Sequence, residues 1–154
     1  MTGVELLPLS VGIGLAVSLL FSEWFAVAAG GMIVPGYIAL SLTNPVDVAL
    51  TVVAGLATFT IVRALSSFMI IYGRRRTVMM ILVGYLVGMI IRYSVASITG
   101  PGGAEMDVIG FIIPGLIAIW LDRQGVVETL TAMLTASIVV RLVLVLVVGV
   151  EVSI

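Results

Sequence analysis

Apolar residues run along this chain in six blocks, roughly 6–22, 24–43, 48–72, 77–98, 108–121 and 126–149, with the charged residues collected mostly at the breaks between them. About 20 consecutive apolar residues span the hydrocarbon of a bilayer. The pattern therefore predicts six membrane segments, helical because lipid offers no partner for a free backbone N–H or C=O. The fifth block is short for a straight crossing. Like the second, it carries an internal Pro-Gly pair, so a broken or re-entrant helix is a live alternative in both.

The second and fifth blocks are copies of one another. GMIVPGYIAL from Gly31 to Leu40 returns as GFIIPGLIAI from Gly110 to Ile119, with Gly31, Pro35, Gly36 and Ala39 matching Gly110, Pro114, Gly115 and Ala118 at an offset of 79. Beyond this core the repeat slips by one residue. Thr51 aligns with Thr129, and Ile61, Val62 and Arg63 with Val139, Val140 and Arg141, at an offset of 78. The chain reads as one membrane domain of two halves, about 6–72 and 77–149. Proline removes a backbone donor and clashes with the preceding turn, so a helix at either Pro-Gly must kink or break. Broken helices in matching halves point to a site near the bilayer midplane.

Composition agrees with lipid as the solvent. Hydrophobic residues make up 62% of the 154, charged residues 10%, and the mean hydropathy is +1.35, too little polar surface for a soluble globule of this size. Seven arginines against eight acids leave a net charge of −1, so no basic excess suggests nucleic acid. The absence of histidine and cysteine from the sequence removes disulfides, thiolate chemistry, most zinc sites and the usual general base, and makes a self-contained catalytic site or a metal centre unexpected. No basic residue precedes the first block, which is read as a retained span rather than a cleavable signal.

Arginines set the expected orientation. Arg74, Arg75 and Arg76 between the third and fourth blocks, and Arg123 between the fifth and sixth, belong on the cytoplasmic side. Six crossings satisfy both, with the N-terminus, Glu5, Asp47, Glu105, Asp107 and Glu151 outside. Three crossings per half give the halves opposite orientation, related by a pseudo-twofold axis in the membrane plane.

Few residues remain that can carry chemistry. Arg63 lies about three residues past the middle of its block, roughly 4.5 Å from the midplane, and Arg141 is its repeat mate. A charge at that depth needs a partner, water or backbone carbonyls. Two readings stand: a structural one, pairing with Glu23, Glu128 or kinked carbonyls, and a substrate-facing one. Glu23, directly before the first repeat, is either an interfacial turn residue or part of the site. Gly84 and Gly88 suit close helix packing with Arg92 snorkelling outward, and Glu128, Thr131 and Thr135 suit an interhelix seam. Gly100 to Gly103 reads as an external turn, not a phosphate loop. Tyr72 to Arg76 is the densest positive patch, either a topogenic anchor on anionic headgroups or a dock for an acidic partner or polyanion.

Three motifs in order, GMIVPGY from Gly31 to Tyr37, FMIIYGRR from Phe68 to Arg75, and GFIIPGLIA from Gly110 to Ala118 followed by Gln124-Gly125, resemble the PgsC/CapC family. That family is the small integral membrane subunit of the bacterial poly-γ-glutamate synthase and capsule-biosynthesis complex. The resemblance runs from about Gly12 to the last span, excepting Ser94 to Asp107, and the family pattern also has a glutamate where Glu23 stands. It implies a multi-pass protein of the bacterial cytoplasmic membrane. It further implies a Mur-ligase-like PgsB/CapB partner that uses ATP and a divalent metal to join glutamate through γ-amide bonds, and a PgsA/CapA subunit that helps complete assembly and export. This chain itself is expected to bind no cofactor. Under the resemblance, Pro35, Gly36, Tyr37, Arg63, Pro114, Gly115 and Arg141, with Glu23, line a polymer path or the repeat core, and Arg74 to Arg76 dock polymer or ligase. A passive scaffold for the ligase and a small organic-anion transporter are the alternative functions.

Overall fold

Two glycines and a proline decide where the second block can be helical. The computed structural model describes residues 3–99 and 110–149; Gly100 to Gly103, Glu105, Asp107 and Glu151 lie outside them. Gly30 and Gly31 adopt left-handed backbone (φ 74° and 118°), a region open to glycine at little cost, so residues 26–33 are not helical. The helix begins only at Val34 with Pro35 in its first turn, where a missing N–H costs nothing.

Among the described residues the elements are α1 (Gly3–Phe25), α2 (Val34–Ser41), α3 (Pro45–Phe68), α4 (Arg74–Thr99), α5 (Ile113–Gln124) and α6 (Val126–Val148). The protein is all-α, and α1, α3, α4 and α6 are each long and apolar enough to cross a membrane. The second and fifth blocks are not full-length helices. α2 has 8 residues and α5 has 12, roughly 12 and 18 Å at 1.5 Å per residue, against a hydrocarbon core of about 30 Å. The proline of each pair therefore starts a helix rather than kinking one. Gly110, the mate of Gly31, is likewise left-handed (φ 60°) just ahead of α5.

The chain folds into two units that do not follow its two halves. α1, α2 and α6 form one; α3, α4 and α5, as far as Asp122, form the other. Each unit thus takes its broken segment and the long helix before it from one half of the sequence and its other long helix from the other half.

Within each unit the same crossing recurs. In the first, a Cβ on Gly36 would lie 2.8 Å from the Ser10 carbonyl oxygen and 2.9 Å from Val11 Cα, and one on Gly14 would lie 2.8 Å from Gly36 Cα. In the second, a Cβ on Gly115 would lie 2.8 Å from Ile81 Cα, and one on Gly84 2.6 Å from Gly115 Cα. Backbone meets backbone, the approach that small residues permit between membrane helices. The Ser10 hydroxyl adds a hydrogen bond to the Gly36 carbonyl at 2.7 Å.

Large side chains such as Leu20, Leu86, Ile90 and Leu146 face outward, whereas Ala29, Ala39, Ala54, Ala118 and Ala136 are buried. Repeat mates are buried alike: Val34 and Ile113, Ile38 and Ile117, Ala39 and Ala118, Val62 and Val140, Thr51 and Thr129.

Alanine at Gly36 or Gly115 must push two backbones apart. Thermal unfolding in detergent is expected to show each variant destabilised by about 1–3 kcal/mol, the scale of overpacking. Gly12→Ala, where an added Cβ meets nothing within 4 Å, should be neutral or stabilising by up to roughly 1 kcal/mol.

Candidate functional site

The broken segment of the first unit retraces α1 and runs alongside α6. The Ser18 hydroxyl donates to the Met32 carbonyl at 3.3 Å, and Gly36 sits at Ser10 and Gly14, so the segment travels back toward the start of α1. Ala28 pairs with Gln124 at the end of α5, while against α6 Gly30 packs on Met133 and Ala39 meets Arg141. From Val126 to Arg141 along α6 is roughly 22 Å at 1.5 Å per residue. An extended stretch followed by a short helix therefore covers most of a bilayer's depth.

Polar backbone at such depth has to be paired. Gln124 supplies both bonds that the peptide groups of Ala28 need: the Ala28 N–H donates to Oε1 at 3.0 Å, and Nε2 donates to the Ala28 carbonyl. At the other end, α2 stops at Ser41, so the carbonyl of Ala39 has no intrahelical partner. Arg141 Nη1 donates to it at 3.0 Å. A cation at a helix C-terminus also opposes the negative end of the dipole. Arg141, half-buried on α6, thus serves as a C-cap delivered from another helix, with a carbonyl among its partners.

Its mate behaves differently for a reason visible in helix length. α5 continues to Gln124, so the Ala118 carbonyl, which matches that of Ala39, lies inside the helix and needs no external donor. Arg63 is exposed on α3, with its guanidinium 5.8 Å from the Phe59 ring centroid and no ion pair among the described residues. Because α3 ends at Phe68, Arg63 stands about 7.5 Å from the helix end, a distance that a snorkelling arginine spans.

The other expected site residues are placed as follows. Pro35 and Gly36 are buried in the first unit, with Tyr37 half-buried beside them; Pro114 and Gly115 are buried in the second. Glu23 is exposed in the last turn of α1, beside the exposed Trp24 and Phe25. Arg74 and Arg75 are exposed, but Arg76 turns inward to an ion pair with Asp122. Arg92 lies over the Phe111 ring at 4.1 Å instead of reaching outward. Thr131 and Thr135 are exposed and bond back to the carbonyls of Val127 and Thr131 on their own helix, so among the described residues they form no seam to a neighbour.

Sequence reasoning did not single out Ser10, Gly14 or Asp122. Gly14 matches Gly84 at an offset of 70 rather than 79, because 31 residues separate Gly84 from Gly115 but only 22 separate Gly14 from Gly36. Aligning on the glycines instead of on a fixed offset exposes the pair.

Removal of a charged donor from a buried carbonyl costs about 1.5–3 kcal/mol. Arg141→Met should lower stability in detergent on that scale, whereas Arg63→Met should leave it within about 0.5 kcal/mol, as substitutions on exposed positions do. Equal losses would contradict the assigned capping role.

Comparison with known proteins fits this architecture to a family. The family model for capsule biosynthesis CapC matches residues 13–130, which contain both Pro-Gly breaks. The chain is 36% identical over 126 residues (81% of this chain, 84% of the relative) to the PGA biosynthesis protein CapC of Bacillus subtilis strain 168. It is 33% identical over 125 residues (80% and 83%) to the capsule biosynthesis protein CapC of Bacillus anthracis. No solved structure matches. The match over residues 13–130, with both relatives above 30% identity across four-fifths of the chain, means that this chain belongs to the capsule biosynthesis CapC family.

Proposed function

We infer that this chain is the membrane subunit of a bacterial poly-γ-glutamate synthase complex, acting in capsule synthesis. The observation that carries this reading is family membership, since the relatives are named for PGA and capsule biosynthesis. In the proposed complex a CapB-like amide ligase, supplied with ATP and a divalent metal, forms the γ-amide bonds. A CapA-like subunit assists assembly and export. The chain sits in the cytoplasmic membrane as a multi-pass protein, with Arg74, Arg75, Arg76 and Arg123 on the ligase side. The broken segments add one traverse to each half, which keeps the arginine clusters on one side.

The product is a polyanion with one free carboxylate per residue. A route for it through lipid requires fixed positive charge and positive helix ends. Arg63 suits the first, being exposed within an apolar helix and not committed to a carboxylate among the described residues. The starts of α2 and α5 supply the second from behind the route, since Pro35-Gly36 and Pro114-Gly115 are themselves buried against α1 and α4. The bond from Arg141 to Ala39 favours a second role for that mate, as a brace that holds the path open without touching polymer. A passive scaffold for the ligase is the competing function.

Reconstituting the full complex in vesicles separates conduit from scaffold. With Arg63→Gln, polymer yield or chain length should fall by about tenfold, the scale of one charged hydrogen bond, while ligase binding to the membrane is retained. Unchanged yield and length with Arg63→Gln would assign this chain to scaffolding.

A further inference from the structure

The connection from α3 to α4 borders a cavity that neither the breaks nor the path uses. Gly73, left-handed at φ 62°, turns the chain into α4. Beside this turn lies a cavity of about 430 Å³, walled by Met69, Ile70, Ile71, Val78 and Met79, with Arg74 and Arg75 completing its lining. The volume falls in the range of small-molecule sites, about 300–1,000 Å³.

Its lining makes two demands. Five apolar side chains offer no hydrogen bond, so a hydrated ion or a carboxylate-bearing chain would leave its polar groups unpaired against them. Two guanidinium groups, on the other hand, are not satisfied by hydrocarbon. Arg74 and Arg75 have no ion pair among the described residues, and Asp122 is engaged by Arg76. The first turn of α4 carries no acidic residue, and three arginines stand where the helix dipole already concentrates positive charge, an arrangement that costs free energy until an anion offsets it. Guanidinium forks bind phosphate oxygens bidentately. A molecule with a phosphate headgroup of net negative charge at one end and hydrocarbon at the other meets both demands, whereas a zwitterionic headgroup brings its own cation and leaves the arginines uncompensated.

We propose that this cavity holds one anionic phospholipid of the surrounding membrane, its phosphate on Arg74 and Arg75 and part of one acyl chain along Ile70, Ile71, Val78 and Met79. The lipid neutralises the turn and fixes the start of α4. Arg76, turned toward Asp122, belongs to the internal packing of the unit and takes no part. This site stands independently of the polymer reading and narrows the arginine cluster from a general docking patch to a lipid clasp.

Native mass spectrometry of the full-length protein in a mild detergent, given an equimolar mixture of phosphatidylglycerol and phosphatidylcholine with identical chains, tests it. Phosphatidylglycerol should be retained selectively. Each of Arg74→Gln and Arg75→Gln should reduce that retention roughly fivefold, the scale of one arginine acting on an anionic headgroup. Val78→Trp, which fills the cavity and leaves both arginines, should reduce it too. Equal retention of the two lipids overturns the proposal. Full retention by Val78→Trp overturns it as well, since headgroup attraction alone would then suffice, and displacement of phosphatidylglycerol by poly-γ-glutamate oligomers would give the arginine pair to the polymer instead.

Discussion

Backbone contact between a long helix and a Pro-Gly turn is the constraint on which the rest of this structure depends. At Gly14 against Gly36, and again at Gly84 against Gly115, there is no room for a methyl group. In a bilayer the apolar exterior supplies no drive for helices to associate, so dispersion at close range and internal hydrogen bonds must do so. The buried alanines and glycines, and the large aliphatic side chains turned outward, follow from that rule. A bulky interior would separate the helices and leave the extended backbone of residues 26–33 without partners.

That extended stretch explains the polar residues that pack around it. Ser18 takes the Met32 carbonyl, Gln124 takes both groups of Ala28, and Arg141 takes the Ala39 carbonyl where α2 stops. All three answer the same need, the pairing of backbone that helix geometry no longer pairs. Gln124 and Arg141 come from the far half of the sequence. The packing of α6 and the end of α5 on the first unit's broken segment is therefore more than an exchange of apolar surface: together they complete the hydrogen bonding of the other half's broken segment. In the second unit α5 runs on to Gln124, the Ala118 carbonyl lies inside the helix, and Arg63 has no equivalent task.

Much of this was legible in the sequence, and the rest was hidden for identifiable reasons. The duplication, the Pro-Gly breaks and the near-equivalence of Arg63 and Arg141 stand out because identical residues recur at a fixed offset. The lengths of α2 and α5 do not, since an apolar block has the same composition whether it is helical or extended; only the left-handed glycines ahead of Val34 distinguish the two. The match of Gly14 to Gly84 is masked by nine extra residues in the second half. The divergent fates of the two arginines depend on where α2 and α5 end, which lies within the boundary error of any reading from pattern alone. The exchange of long helices leaves no local trace at all, because lipid-facing helices of either half carry the same apolar stripe.

The exchange is also the feature most open to direct measurement, and the sequence contains no cysteine to interfere. A Cβ placed on Gly30 lies 3.6 Å from Met133 Cβ, inside the range of about 3.5–4.5 Å that a disulfide spans. Oxidation of the full-length protein carrying Gly30→Cys and Met133→Cys should cross-link the two halves within one chain. The matched control carries Gly30→Cys with Gly55→Cys, the equivalent of position 133 in the first half. Cross-linking of the control pair, with none between positions 30 and 133, would mean that each half packs on itself and would contradict the account.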